Sequence, residues 1–304
     1  MHPAASIIFF TTLSGLGYGL AGALGLGVLA PGLMSTLMAY GLALALIGAG
    51  LLSSTLHLGN PQRAWRAFSQ WRSSWLSREG VLAVIGFPVI AAHGWLTFSS
   101  GERWPLLGLA AAVLAAATVY CTAMIYASLR SVQAWNTWLT PACYLAFAVA
   151  GGGLLALLFL AWQGALRGPA VLAVAALVFC AWGLKMAWWR RMDSEPHLST
   201  TASATGLGKI GRVTLFEPPH MTSNYLTREM GFQVARKHAS KLRKIALVLG
   251  CGLPFLLAIM SGGSGAIAVL LAALAVVAFY AGVVTERWLF FAEARHAVTS
   301  YYGQ

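Results

Sequence analysis

Long apolar runs separated by short polar breaks set the pattern of this 304-residue chain. Crossing the hydrocarbon core of a bilayer takes about 20 mostly apolar residues in a helix. Eight runs of that kind occur, at about 5–29, 36–58, 79–99, 105–129, 139–162, 168–189, 243–261 and 265–290. The last two are parted only by a Gly- and Ser-rich turn at 261–265, and 243–290 is too long for a single crossing, so eight spans fit better than seven. The pattern predicts an all-α, polytopic membrane protein, with residues 1–304 forming one transmembrane domain. It has one long polar interruption, 190–242. The first run has no basic residue before it and is longer than the apolar part of a signal peptide, so it reads as a retained helix.

Composition agrees: 59% of residues are hydrophobic and 9% are charged, against about a quarter charged in soluble domains. Soluble enzymes, disordered chains and collagen-like fibres are excluded. The net charge of +12 suggests nucleic acid only if the bases cluster on a folded surface among stacking aromatics. Here they lie between apolar runs. With eight spans, 18 of the 20 Lys and Arg residues fall on the side that holds both termini, and Arg103 and Arg167 on the other. The positive-inside rule then places both termini and the 190–242 loop in the cytoplasm. Contact with membrane lipid is expected, and nucleic-acid binding is not.

Redox groups of the chain's own are not expected. Cys121, Cys143, Cys180 and Cys251 each stand alone in apolar stretches, without the grouped spacing of a cluster or zinc site. They read as small buried hydrophobes. Haem b needs two histidines at one depth on facing helices. His57 ends the second span, whereas His93 lies about 21 Å further along the third at ~1.5 Å per residue. His93 reads as an interhelical hydrogen-bonding group.

The chemistry concentrates between spans two and three. His57 closes one span and Glu79 opens the next, and the loop between them carries Arg63, Trp65, Arg66, Phe68, Trp71, Arg72 and Trp75. Ionisable groups at a membrane edge are costly and suggest function. A quinone headgroup suits this set: histidine can donate to a carbonyl oxygen and pass a proton, glutamate can exchange protons with water, and arginines stabilise anionic, part-reduced forms. Spacing alone leaves a plainer assignment open, with Glu79 paired to Arg78 or Arg63, His57 capping its helix and the arginines on lipid phosphate.

The segment His57 to Gly80 resembles the signature of the dimethyl sulfoxide reductase membrane-anchor family, DmsC. The opening run Met1 to Thr12 is similar to a branch that includes membrane subunits of cytoplasmic sulfite dehydrogenases. So are Leu215-Phe216-Glu217-Pro218-Pro219-His220, Asn224-Tyr225-Leu226 and Glu229-Met230-Gly231-Phe232. The resemblance implies an eight-helix anchor in the bacterial inner membrane. It would serve two soluble partners on the cytoplasmic face, a molybdopterin catalytic subunit and an iron–sulfur subunit, and exchange electrons with ubiquinone or menaquinone. In that family a histidine, an arginine six residues later and a glutamate 22 residues after the histidine are implicated at the quinol site. His57, Arg63 and Glu79 match those spacings, with Trp65, Arg66 and Arg72 as neighbours. The N-terminal likeness leans to sulfite oxidation with quinone reduction, the alternative being quinol oxidation by a reductase of the dimethyl sulfoxide type.

Partner docking is expected through 59–78 and 215–232, where apolar anchors mix with polar groups. The basic run Arg236 to Lys244 is expected to meet anionic lipid. Lys185 near Trp188 and Trp189, and Glu286 with Arg287, are expected to snorkel or pair at the boundary. Two rivals differ in class. A secondary transporter would need inverted repeats with broken helices, for which only Pro88 offers a hint. A passive anchor would hold its partners without a quinone site.

Overall fold

The computed structural model describes residues 4–55, 60–194, 200–214, 216–217 and 234–297. His57 and nearly all of 215–232 lie outside the described residues. Eight helices are long and apolar enough to cross a membrane. They are α1 (Ala5–Gly25), α2 (Met34–Thr55), α3 (Trp75–Ser100), α4 (Pro105–Ala127), α5 (Leu139–Trp162), α6 (Gly168–Ser194), the span His238–Met260 and α10 (Gly265–Ala292). Between α6 and the seventh span lies a one-turn helix α7 (Thr201–Thr205). The seventh span is built from α8 (Val234–Leu247), a π turn at Val248–Gly252 and α9 (Leu253–Met260). Among the described residues there is no strand.

Local chemistry sets several ends. Pro105 opens α4, where its missing N–H is no loss. Gly101, with φ 68°, closes α3 in the left-handed region that a side chain disfavours. The Ser74 hydroxyl accepts from the Ser77 N–H at 3.4 Å and caps α3, so this helix begins at Trp75, four residues before the expected start. Glu79 therefore sits one turn inside the helix rather than at its mouth.

Helices α1 and α5 form the buried centre: α1 packs on α2, α4 and α5, while α5 also meets α6 and α10. Glycines let helix backbones approach closely. A Cβ on Gly19 would fall 1.8 Å from the Ala148 carbonyl oxygen, and one on Gly25 would fall 2.3 Å from that of Gly108. Small residues let membrane helices approach closely, because lipid supplies little hydrophobic drive for their association. In the seventh span the π turn presents Gly250 to Trp182 and to Gly282 of α10.

Polar groups join helices at both membrane edges. At one edge the Gln163 amide donates to Ser35 and Thr36, each at 3.0 Å. The same edge has a cavity of about 330 Å³ lined by Tyr40, His93, Thr97 and Arg103. His93 there shares a 2.8 Å hydrogen bond with Tyr40 of α2, an interhelical role as expected. At the other edge Arg243 of α8 clamps two neighbours. It donates to Asp193 of α6 at 2.6 and 3.0 Å, and its Nε donates to Glu293, just past α10, at 3.0 Å. The basic run thus gives at least one residue to a protein contact. Replacing Arg243 with Met should cost about 1–2 kcal/mol, the value of losing charge-assisted hydrogen bonds at a partly exposed site. A lowered thermal unfolding midpoint in detergent would register it.

Two cysteines depart from expectation. Cys121 and Cys143 are buried, but Cys251 is half-buried and Cys180 exposed. An outward position on a helix of a membrane bundle faces lipid, which a thiol tolerates as well as a core.

Candidate functional site

The loop before α3 folds as a 3-10 helix, Pro61–Gln70. In this geometry residues three apart lie above one another. Trp65 and Phe68 therefore share one face of it and Arg63 and Arg66 another, and just past its end Arg72 lies over the Trp71 ring as Arg66 does over Trp65. The segment is fastened to the start of α3. The Ser77 hydroxyl donates to the Ala67 carbonyl, and the Phe68 ring lies where a Cβ on Gly80 would come within 3.0 Å of it. Arg78 turns back to donate to the carbonyls of Trp71 at 3.0 Å and Arg72 at 2.6 Å, and lies over the Trp75 ring at 4.3 Å. Arg78 thus braces the loop instead of pairing with Glu79. A Gly80→Ile change should push Phe68 away and free the segment. Tryptic cleavage at Arg63, Arg66 and Arg72 should then accelerate at least severalfold, whereas wild-type rates would show that Phe68 does not hold it.

Glu79 is buried, with 3% exposure. Its carboxylate oxygen is held by the Thr122 hydroxyl of α4, which also lies 3.0 Å from the Thr118 carbonyl. A threonine hydroxyl has one proton and two lone pairs. Thr122 can donate to an ionised Glu79, or donate to Thr118 and accept from a protonated Glu79. The pair is built to hold the carboxyl in either state.

Behind Thr122 is a cavity of about 20 Å³, room for about one water molecule, lined by Thr11, Thr12, Ser14, Tyr144 and Arg287 among others. The α1 hydroxyls donate to carbonyls of their own helix, Thr12 to Ile8 at 2.8 Å and Ser14 to Phe10 at 2.6 Å, which leaves lone pairs for a water. Beyond it Lys185 and Glu286 form a 2.6 Å ion pair, with Arg287 3.5 Å from the other Glu286 oxygen. Lys185 lies 3.6 Å over Trp188, and Arg287 3.8 Å over Tyr144. None of the three is more than 3% exposed, so of the two expected roles, snorkelling and pairing, they take pairing. Trp188, Tyr144 and Phe290 cover them, and their charges meet each other instead of water. The available signal was an acid on the eighth span and a base on the sixth at similar depth from one face.

Among the described residues, the expected site residues do not form a single contact set. Arg63, Trp65, Arg66 and Arg72 are exposed on and beside the 3-10 helix, Glu79 is buried beneath its anchoring point, and His57 lies outside the described residues. Of the expected docking segments, 61–78 is described throughout. In 215–232 only Phe216 and Glu217 are, and Phe216 is almost fully exposed.

A buried carboxyl under an arginine- and aromatic-rich segment at one edge of an eight-helix bundle is the geometry to set beside known proteins. The family model described as DMSO reductase anchor subunit (DmsC) matches residues 1–292. The chain belongs to this family. It is 35% identical to the C subunit of sulfite dehydrogenase from Allochromatium vinosum, over 99% of both proteins. It is 32% identical to the C component of the anaerobic dimethyl sulfoxide reductase of Escherichia coli, over 44% of this protein and 49% of the other. Like the rest of the DmsC family it is a membrane anchor subunit, and its eight apolar helices make it an integral membrane protein. The full-length match to the sulfite dehydrogenase protein extends through the 190–242 region, which links the sixth and seventh spans of this anchor.

Proposed function

We propose that this anchor passes electrons between an iron–sulfur partner subunit and membrane quinone, with sulfite oxidation by a molybdopterin subunit as the favoured driving reaction. The observation that carries the reading is Glu79, a buried carboxyl one turn inside α3 at a membrane edge, whose hydrogen bond to Thr122 serves both of its protonation states. Quinone, ubiquinone or menaquinone, supplies two-electron, two-proton redox chemistry when bound. The cavity of about 20 Å³ behind Thr122 is too small for its ring, so the quinone would sit on the outer side of Glu79, toward the 3-10 segment. There Glu79 and His57 would hold and move protons, Arg63 would donate to a ring oxygen, and Arg66 and Arg72 would add positive field. Trp65 would limit water.

The face holding Glu79 is assigned to the cytoplasm of the bacterial inner membrane, on the strength of the 18 of 20 basic residues placed there by the span count. Both soluble partners would dock on it through 59–78 and 215–232, close enough for electron transfer to the headgroup. The full-length relative favours the sulfite direction. The similarity to the dimethyl sulfoxide reductase component favours a second reading, quinol oxidation feeding a reductase. The test compares quinone-linked with soluble-dye-linked turnover in the assembled complex carrying His57→Asn or Glu79→Gln. Loss confined to the quinone-linked rate supports the site, and wild-type quinone-linked rates in both variants would leave a passive anchor.

A further inference from the structure

Apart from Glu293, which is bound by the partly exposed Arg243, four charged groups are buried inside the half of the bundle that holds Glu79. Glu79, Lys185, Glu286 and Arg287 are exposed by 3%, 1%, 0% and 3%. A lone charge in such a place is costly. Lys185 and Glu286 cancel, which leaves the positive charge of Arg287 uncompensated within the cluster. Its Nε makes no hydrogen bond, and it is 3.5 Å from Glu286. Arg287 and Thr122 line the same water-sized cavity, and Thr122 holds Glu79. Tyr126 and Tyr144 each feel the charge of both Glu79 and Arg287, and Arg287 lies 3.8 Å over the Tyr144 ring.

We propose that Arg287, backed by Glu286 and Lys185, is a positioning residue that acts as the countercharge for Glu79 across this cavity and so lets a carboxyl inside the membrane release its proton. With Glu79 protonated these four groups carry one net positive charge, and with Glu79 ionised they are neutral. On release the Glu79 O–H bond breaks and the electron pair stays on the carboxylate. The proton forms a new O–H bond on a water, and Thr122 turns from Thr118 to donate to the carboxylate. The other groups facing Glu79 do not supply this charge. Tyr18 of α1, Cys121 and Tyr126 of α4, and Tyr144 of α5 are neutral in their ordinary states, while Arg78 on Glu79's own helix keeps its charge but is partly exposed and turned outward to loop carbonyls, where water screens it. The inference rests on the proposed proton exchange at Glu79 but does not need quinone as its purpose.

The test is infrared spectroscopy of the full-length protein in its assembled complex, reconstituted in lipid and titrated with pH. The carboxylic-acid band of Glu79 is assigned by its disappearance in Glu79→Gln. In Arg287→Gln the band should persist to about tenfold lower proton concentration, the order of effect of removing one buried charge at an effective dielectric of about 20. In Glu286→Gln, where the cluster gains positive charge, the band should vanish at about tenfold higher proton concentration. Arg287→Lys should stay within about twofold of wild type. Unmoved bands in Arg287→Gln and Glu286→Gln, or shifts in one common direction, would overturn the proposal. If Arg287→Gln does not assemble, Glu286→Gln decides by the direction of its shift. Normal quinone-linked turnover in Glu79→Gln would remove the quinone reading and leave these shifts standing.

Discussion

Glu79→Gln should lower quinone-linked turnover by about 10²-fold or more, the size of a lost general acid–base group. Dye-linked turnover and co-purification with the partner subunits should stay at wild-type levels. The separation is expected because glutamine keeps the shape of the side chain and a hydrogen bond to Thr122, so packing of α3 on α4 survives while the exchangeable proton does not. Thr122→Val removes the hydroxyl that accommodates both states of the carboxyl but keeps the carboxyl itself. Its quinone-linked rate should fall less, by about tenfold, as one hydrogen bond is lost at a buried group. Rates must be measured on one preparation with both acceptors, because a poorly assembled complex loses both together. A Glu79→Gln complex that reduces or oxidises quinone at the wild-type rate would exclude Glu79 from the chemistry.

Gly152→Val should abolish accumulation of the folded protein. A Cβ at this position would lie 2.1 Å from the Gly19 carbonyl carbon, 2.3 Å from its oxygen and 2.5 Å from the Leu20 nitrogen. All three are backbone atoms of α1, so no rotamer change relieves the clash. The helices would have to separate along the crossing that holds the bundle's centre, at a cost above the ~1–3 kcal/mol typical of an overpacked core. Gly22→Ala is the control, since nothing lies within 4 Å of its Cβ. It should be neutral or slightly stabilising, as expected for replacing a helical glycine. Size-exclusion recovery in detergent would distinguish the two, and equal recovery of both variants would contradict the close α1–α5 crossing.

How much of this could be read from the amino-acid order differs by residue. The eight apolar runs were legible because a bilayer demands long, uncharged helices, whatever their neighbours. Glu79 stood out for a related reason: a carboxyl beside a span is rare enough to draw notice. Its depth and partner were not legible. They depend on Ser74 capping α3 one turn early and on α4 bringing Thr122 across. The threefold spacing of Arg63 and Arg66, and of Trp65 and Phe68, was present in the letters. It acquired meaning only when the segment proved to be a 3-10 helix.

Lys185, Glu286 and Arg287 illustrate the opposite limit. Read singly, each is a charge near the end of an apolar run, and snorkelling to water or pairing at the boundary is the natural expectation. About a hundred residues separate Lys185 from Glu286, and no local pattern links them. The sequence by itself determined that this protein lives in a membrane, crosses it eight times and carries most of its charge on one side. Those properties follow from transfer of single side chains between water and lipid, a cost each residue bears alone. Only the tertiary structure decided which charges are buried together, which water-sized space lies between them and which glycines bring helix backbones into contact. Those are pairwise properties, set when α3 meets α4 and α6 meets α10.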